Sequence, residues 1–183
     1  MYGLDDLATR TLNHLSGHSP IMDGFMILLS EVGIPLMVAL VVAQWWVRTS
    51  REHTRHVLVS SGLTFLLGLA LNQVILLFVH RMRPYDAGLT HLLVAPNPDY
   101  SFPSDHATAS FAIAAAFLVH RFYRRGLAFL IVAFLIAFSR VYIGIHYLTD
   151  VIGGATTGLL AAYLVRKFYR EGNWLDQRLT RIG

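Results

Sequence analysis

Long apolar runs interrupted by short polar clusters set the pattern of this chain. Five runs are long enough to cross about 30 Å of hydrocarbon as helices, which takes roughly 20 residues each. They cover residues 24–47, 57–79, 104–123, 126–145 and 147–165. The third begins with polar residues and is rich in alanine, and the fourth and fifth are separated by a single residue. Before them, Leu4, Leu7, Leu12 and Leu15 recur at helical spacing and predict an interfacial amphipathic helix within residues 1–20. Pro35 predicts a kink inside the first span. Residues 85–102 form the one long stretch between spans, and Pro96, Pro98 and Pro103 argue against a helix throughout. This loop is a candidate lid or entry rim. The predicted fold is an all-α integral membrane protein, a bundle of about five transmembrane helices with an N-terminal interfacial helix. It forms a single domain over residues 1–183.

Composition supports the bilayer over a soluble helical bundle. The chain is 55% hydrophobic and 14% charged, with mean hydropathy +0.51. Ordinary soluble domains carry about 25% charged residues. The formal net charge of +4 forms no continuous stripe, so nucleic acid is not an expected partner. There are no cysteines, which excludes disulfides and thiolate metal sites. Met1 to Asp6 offers no basic segment before an apolar run, so a cleaved signal peptide is not expected.

The basic residues orient the spans. Arg48, Arg51 and Arg55 lie between spans one and two, and Arg121, Arg124 and Arg125 between three and four. Arg166, Lys167, Arg170, Arg178 and Arg181 follow span five. This side holds 11 of the 15 basic residues and is therefore predicted to be cytoplasmic. Arg10, Arg81, Arg83 and Arg140 fall on the other side. The chain is thus expected in the cell membrane, with its polar clusters on the extracytoplasmic face.

Those clusters carry the candidate chemistry. They are Arg83-Pro84, Pro103-Ser104-Asp105-His106, and Ser139-Arg140 with His146 and Asp150. Four helix ends bring them to one membrane face. The starts of spans three and five offer N–H groups and partial positive charge, which suit an anion. Arg83 and Arg140 add fork geometry for phosphate oxygens. His146 and Asp150 are four residues apart and share a helix face. The carboxylate can hold one ring nitrogen and leave the other free to attack. His106, after Ser104 at a helix start, can face the same anion. Two histidines suggest one nucleophile and one general acid. His106, His146 and Asp150 also suit a divalent metal, but two nearby arginines would repel one and already supply the charge. No metal and no cofactor are expected. Arg81 reads either as a surface residue or as a second phosphate contact. The remaining histidines, 14, 18, 53, 56, 80, 91 and 120, read as solvated.

The clusters resemble the type 2 phosphatidic acid phosphatase superfamily. Its pattern is a lysine, six residues, Arg-Pro; then Pro-Ser-Gly-His; then Ser-Arg, five residues, His, three residues, Asp. The third motif is complete from Ser139 to Asp150, and the resemblance covers roughly residues 57–160. Leu76 stands where the lysine is expected, and Arg81 is the candidate substitute for its charge. Asp105 replaces the glycine. Phe102-Pro103-Ser104-Asp105-His106, with Glu31 and Asn72, looks like the bacitracin-resistance subgroup of bacterial undecaprenyl-diphosphate phosphatases. The resemblance implies packed transmembrane helices and metal-independent hydrolysis of a phosphate ester or anhydride. It implies His146 as nucleophile, Asp150 as its partner and His106 as proton donor, with Arg83, Ser104 and Arg140 binding phosphate. Asp105 and Glu31 are further candidates. Glu31 is the one acidic residue in the first two spans and is expected to meet Arg81 or Arg83.

The implied partner is a lipid phosphate, foremost a polyprenyl diphosphate whose monophosphate returns to cell-wall synthesis. Phosphatidylglycerol phosphate, phosphatidic acid and lipid A are alternatives. A lipid-phosphate carrier would need no nucleophile–carboxylate pair, and the soluble vanadate haloperoxidases that share the pattern lack five apolar spans. Gly154 and Gly158, four residues apart, permit close helix packing, within the chain or in an oligomer.

Overall fold

A computed structural model describes residues 2–47 and 50–180, and the orienting Arg48 and Arg181 lie outside them. Seven α-helices occur among the described residues: α1 (Tyr2–Asn13), α2 (Pro20–Ala43), α3 (Arg51–Leu76), α4 (Asp105–Val119), α5 (Tyr123–Tyr142), α6 (Leu148–Phe168) and α7 (Trp174–Thr180). A single 3-10 turn, Gln44–Trp46, follows α2. No strand occurs among these residues.

Local chemistry sets the helix starts. Ser19 caps α2 by accepting from the Met22 N–H, with Pro20 at the first helical position, where its missing donor costs nothing. Ser104 caps α4 in the same way. Asp150 closes a capping box on α6 by accepting from the Tyr147 N–H. Helix α2 runs through Pro35 without interruption.

Four helices, α2, α3, α5 and α6, are long and apolar enough to cross a membrane. Their outward faces present Leu28, Leu36, Leu66, Ile131, Phe134, Ile152 and Leu159 to the surroundings. The third predicted span is shorter than expected. Helix α4 ends at Val119, and its 15 residues reach only about 22 Å. It has little need to face lipid, because every residue from Ala107 to Phe117 is buried. Helices α3, α5 and α6 enclose it.

The alanine content of α4 follows from that enclosure. A Cβ at Gly154 would stand 2.4 Å from the Ser104 carbonyl, and one at Gly158 would stand 2.7 Å from the Thr108 carbonyl. The small-residue stripe of α6 therefore packs against the α4 backbone inside the same chain. Larger side chains on either helix would push them apart and move the start of α4.

Helix α1 is amphipathic with its polar side inward. Leu4 and Leu7 are exposed, whereas Thr9 and Asn13 are buried. Thr9 accepts from the Leu148 N–H, and Asn13 donates to the carbonyls of His91 and Tyr142. The helix lies across the ends of α5 and α6 and leaves its leucines for the interface.

At the opposite end, α3 starts six residues before the predicted span, and this corrects the reading of two histidines. His56 is fully buried, with Nδ1 2.8 Å from Asp176 Oδ1. His120 is also buried, with Nε2 2.9 Å from Ser60 Oγ. His53 pairs with Glu171 at 2.9 Å. Burial alone would push the Asp176 carboxyl up. Hydrogen bonds from Tyr169, the Gly172 N–H and His56 hold it below the usual carboxylate range. These groups dock α7 on the end of α3 farthest from the polar clusters. Sequence reading misses them because the partners lie 118 and 120 residues apart.

Candidate active site

The three polar clusters meet at one end of the bundle around a cavity of about 530 Å³. Arg83, Asp105, His106, Arg140 and His146 line it, with Gln73, Leu76 and Leu77 of α3 on one side and Asn97 to Tyr100 on another. The loop at 85–102 is the rim. Arg83 fastens it by donating from Nε to the Asp99 carbonyl at 2.8 Å and from Nη2 to the Tyr100 carbonyl at 3.3 Å.

A tight turn between α5 and α6 presents His146. Gly144 makes that turn possible, with φ +83 and no room for a side chain. A Cβ there would stand 2.3 Å from the His91 carbonyl. The His146 ring is 3% exposed and has two distinct edges. Nε2 lies on the cavity side, 3.5 Å from Arg83 Nη1. Nδ1 faces Asp150 Oδ2 at 3.4 Å, long for a hydrogen bond, and has no other partner. Burial, countered by Asp150 and reinforced by Arg140 and Arg83, pushes the imidazole down to about 4. At neutral pH the ring is uncharged and its free nitrogen keeps a lone pair.

Asp150 stands behind the histidine, fully buried. Its Oδ2 accepts from Ser101 Oγ at 2.5 Å and from the Tyr147 N–H at 2.9 Å. Its Oδ1 accepts from Arg81 Nη1 at 2.7 Å. Arg140 comes from the last turn of α5 and is 8% exposed. Its Nη1 donates to Ser30 Oγ of α2, and its Nε has no partner. His106 occupies the first turn of α4, on the cavity wall, with the Ser30 backbone beside its ring. Asp105 is held by Asn72, which donates to its Oδ1 at 2.7 Å and to Thr108 Oγ1 at 2.8 Å.

Four expectations change. First, Arg81 does not line the cavity. It is committed to Asp150 and Asp5 and so does not stand in for the missing lysine. Second, Glu31 is exposed and makes no ion pair with Arg81 or Arg83 among the described residues. The buried stripe of α2 runs through Met26, Ser30, Gly33 and Met37. One residue beyond Ser30, the helix has rotated by about 100° and turns Glu31 out. Third, Ser104 is fully buried and off the cavity wall, its hydroxyl accepting from the Ala107 N–H as a helix cap. Fourth, the start of α6 is not open to an anion. Thr9 takes the Leu148 N–H and Asp5 takes the Thr149 N–H. Among the described residues, only α4 presents a helix N-terminus to the cavity.

Ser30, Ser101, Asp5 and Thr149 were not legible as site residues. Ser30 meets Arg140 across 110 residues and Asp5 meets Thr149 across 144, and no local spacing reports such contacts.

A profile of the PAP2 superfamily matches residues 57–174. The chain is 33% identical over 159 residues to undecaprenyl-diphosphatase BcrC of Bacillus subtilis (strain 168), covering 87% of this chain and 81% of that one. It is 34% identical over 122 residues to phosphatidylglycerophosphatase B of the same organism, covering 61% and 54%. Among solved structures, its fold matches the transmembrane PAP2 type phosphatidylglycerolphosphate phosphatase from Bacillus subtilis. The TM-score is 0.69 at 24% identity, over 94% of this chain and 89% of that one. It also matches Aquifex aeolicus LpxE with TM-score 0.70 at 24% identity, over 88% and 93%.

Proposed function

This chain belongs to the PAP2 superfamily and is a membrane lipid phosphatase, and from that premise we propose that it removes the terminal phosphate of undecaprenyl diphosphate through a phosphohistidine. The observation that carries this reading is the His146 ring, with Nε2 on the cavity side beside Arg83 and Nδ1 toward Asp150. The similarity to undecaprenyl-diphosphatase BcrC supports the diphosphate. The product monophosphate is the carrier lipid that cell-wall synthesis reuses.

In the first step the Nε2 lone pair attacks the terminal phosphorus. The bond from phosphorus to the bridging oxygen breaks, and His106 gives that oxygen its proton. The lipid monophosphate leaves. In the second step His106 takes a proton from water, the hydroxide attacks phosphorus, and the P–N bond breaks to release phosphate and restore His146. Arg83, Arg140 and the α4 N-terminus hold the three equatorial oxygens, where charge gathers in the transition state. Asp150 offsets the charge that forms on the imidazole. The arginines supply the positive charge that a metal would otherwise bring, so the reaction proceeds without one. Leu76 and Leu77 border the cavity on the lipid-facing helix α3, so a headgroup can sit in the cavity while its chain stays in the bilayer.

Phosphate release in detergent with excess chelator tests both substrate and metal independence. Undecaprenyl diphosphate should exceed phosphatidylglycerol phosphate, phosphatidic acid and lipid A in kcat/KM by at least about tenfold. Preference for another of these lipids would reassign the substrate. Activity lost in chelator and restored by magnesium would overturn the arginine-based account.

The site is proposed to face the extracytoplasmic side, because the opposite loops carry most of the basic residues. Thr90→Cys should react with an impermeant thiol reagent in intact cells, and Arg124→Cys only after lysis. The reverse pattern would invert the topology.

A further inference from the structure

We propose that Arg81 is a positioning residue, clamped between Asp5 of the N-terminal helix and Asp150, and that α1 is thereby a working part of the active site. This rests on the assignment of His146 and Asp150 given above.

Arg81 spends both terminal nitrogens on protein. Nη1 donates to Asp150 Oδ1 and to Thr149 Oγ1, each at 2.7 Å, and Nη2 donates to Asp5 Oδ2 at 2.6 Å. Its planar face lies 3.6 Å from the Tyr147 ring centroid. A guanidinium held on both edges and one face has one orientation. That orientation points away from the phosphate cavity, at the rear of the catalytic carboxylate.

The clamp decides where the carboxylate points. Arg81 occupies Oδ1, while Ser101 and the Tyr147 N–H occupy part of Oδ2. The remaining direction on Oδ2 is toward His146 Nδ1. Without Arg81 the carboxylate could rotate about its last bond and leave the imidazole without its partner. Displacements of about 1 Å in such a group lower rates by about a hundredfold.

Asp5 has two jobs in this arrangement. It fixes α6 to α1 by accepting from the Thr149 N–H at 3.0 Å and the Thr149 hydroxyl at 2.6 Å. It also balances charge. Arg81 with Asp150 alone would be neutral, and adding Asp5 leaves a net negative charge behind the imidazole. That charge favours the positive ring formed as Nε2 attacks phosphorus. Asp5 lies outside the part of the chain that the superfamily profile matches.

The test uses the full-length protein in detergent, with kcat, KM, vanadate inhibition and thermal unfolding measured for each variant. Arg81→Ala should lower kcat by about 10- to 100-fold, with KM and vanadate inhibition within about twofold of wild type. Arg81→Lys keeps the charge but not the fork and should recover part of the rate. Asp5→Asn should lower kcat less than Arg81→Ala, and the double variant should lose less than the product of the two single losses, because both act in part through one shared contact. Should Arg81→Ala not fold, Arg81→Lys and Asp5→Asn decide by the same split between kcat and KM. Raised KM and weakened vanadate inhibition at unchanged kcat would make Arg81 a phosphate ligand and overturn the proposal. Wild-type kcat in folded variants, even with lowered thermal stability, would overturn it too. His146→Ala is the control that separates the two readings. If it stays active, the site assignment fails; if it is inactive while the Arg81 and Asp5 variants match wild type, only the clamp fails.

Discussion

His146→Ala should abolish turnover, by more than about 10⁴-fold, while the lipid still binds. The reason is that no other group can take its place. His106 is the second imidazole on the cavity wall, but it starts a different helix and has no carboxylate behind it. Arg83 and Arg140 remain to hold the phosphate oxygens, so vanadate or lipid binding should fall far less than kcat. Wild-type enzyme quenched in alkaline denaturant should carry phosphate in an acid-labile, base-stable linkage, and the variant should carry none. Turnover near wild type in His146→Ala would remove the nucleophile assignment altogether.

Arg140→Leu gives the second large effect, and its sign differs between activity and stability. Arg140 is 8% exposed and its Nε has no partner. Its one hydrogen bond to a side chain is to Ser30. A buried cation with so few partners at membrane depth is unfavourable before substrate arrives. Leucine removes that penalty and fits the helix. The folded protein should unfold at the same temperature or higher. Catalysis should fall by about 10²- to 10³-fold, the usual loss when one fixed transition-state donor is removed. Arg140→Lys should recover little, because an ammonium cannot reach two phosphate oxygens in a plane. A variant that loses activity only because it unfolds would show a lowered midpoint in thermal unfolding, and that result would contradict this account.

Pattern alone made the helices legible. Apolar runs of the required length predict the long helices with ends up to six residues off, because hydrocarbon forces backbone groups to bond within each segment. The exception is instructive. The run at 104–123 is apolar for burial in protein, and α4 stops at Val119. Composition does not separate a helix wrapped by neighbours from one wrapped by lipid. Spacing also told which residues gather. Arg83, His106, Arg140 and His146 all reach one cavity, as the alternation of helix directions requires.

The assignments that failed are those that depend on which way a side chain turns and what meets it from far along the chain. Ser104 and Ser101 are three residues apart and chemically alike. One caps a helix and the other bonds the Asp150 carboxylate. Glu31 and Ser30 are neighbours, yet only Ser30 reaches an active-site arginine, because one residue is about 100° of helix. Arg81 and Arg83 flank a single methionine, yet one faces the phosphate cavity and the other the rear of Asp150. The amino-acid order by itself determined the apolar helices and the set of groups at one end of the bundle, because hydrophobic period and residue spacing are local properties. Only the tertiary structure decided the contacts of Arg81, Ser30, Ser101 and Asp5, because a hydrogen bond depends on ångström-scale geometry between segments that the chain order leaves far apart.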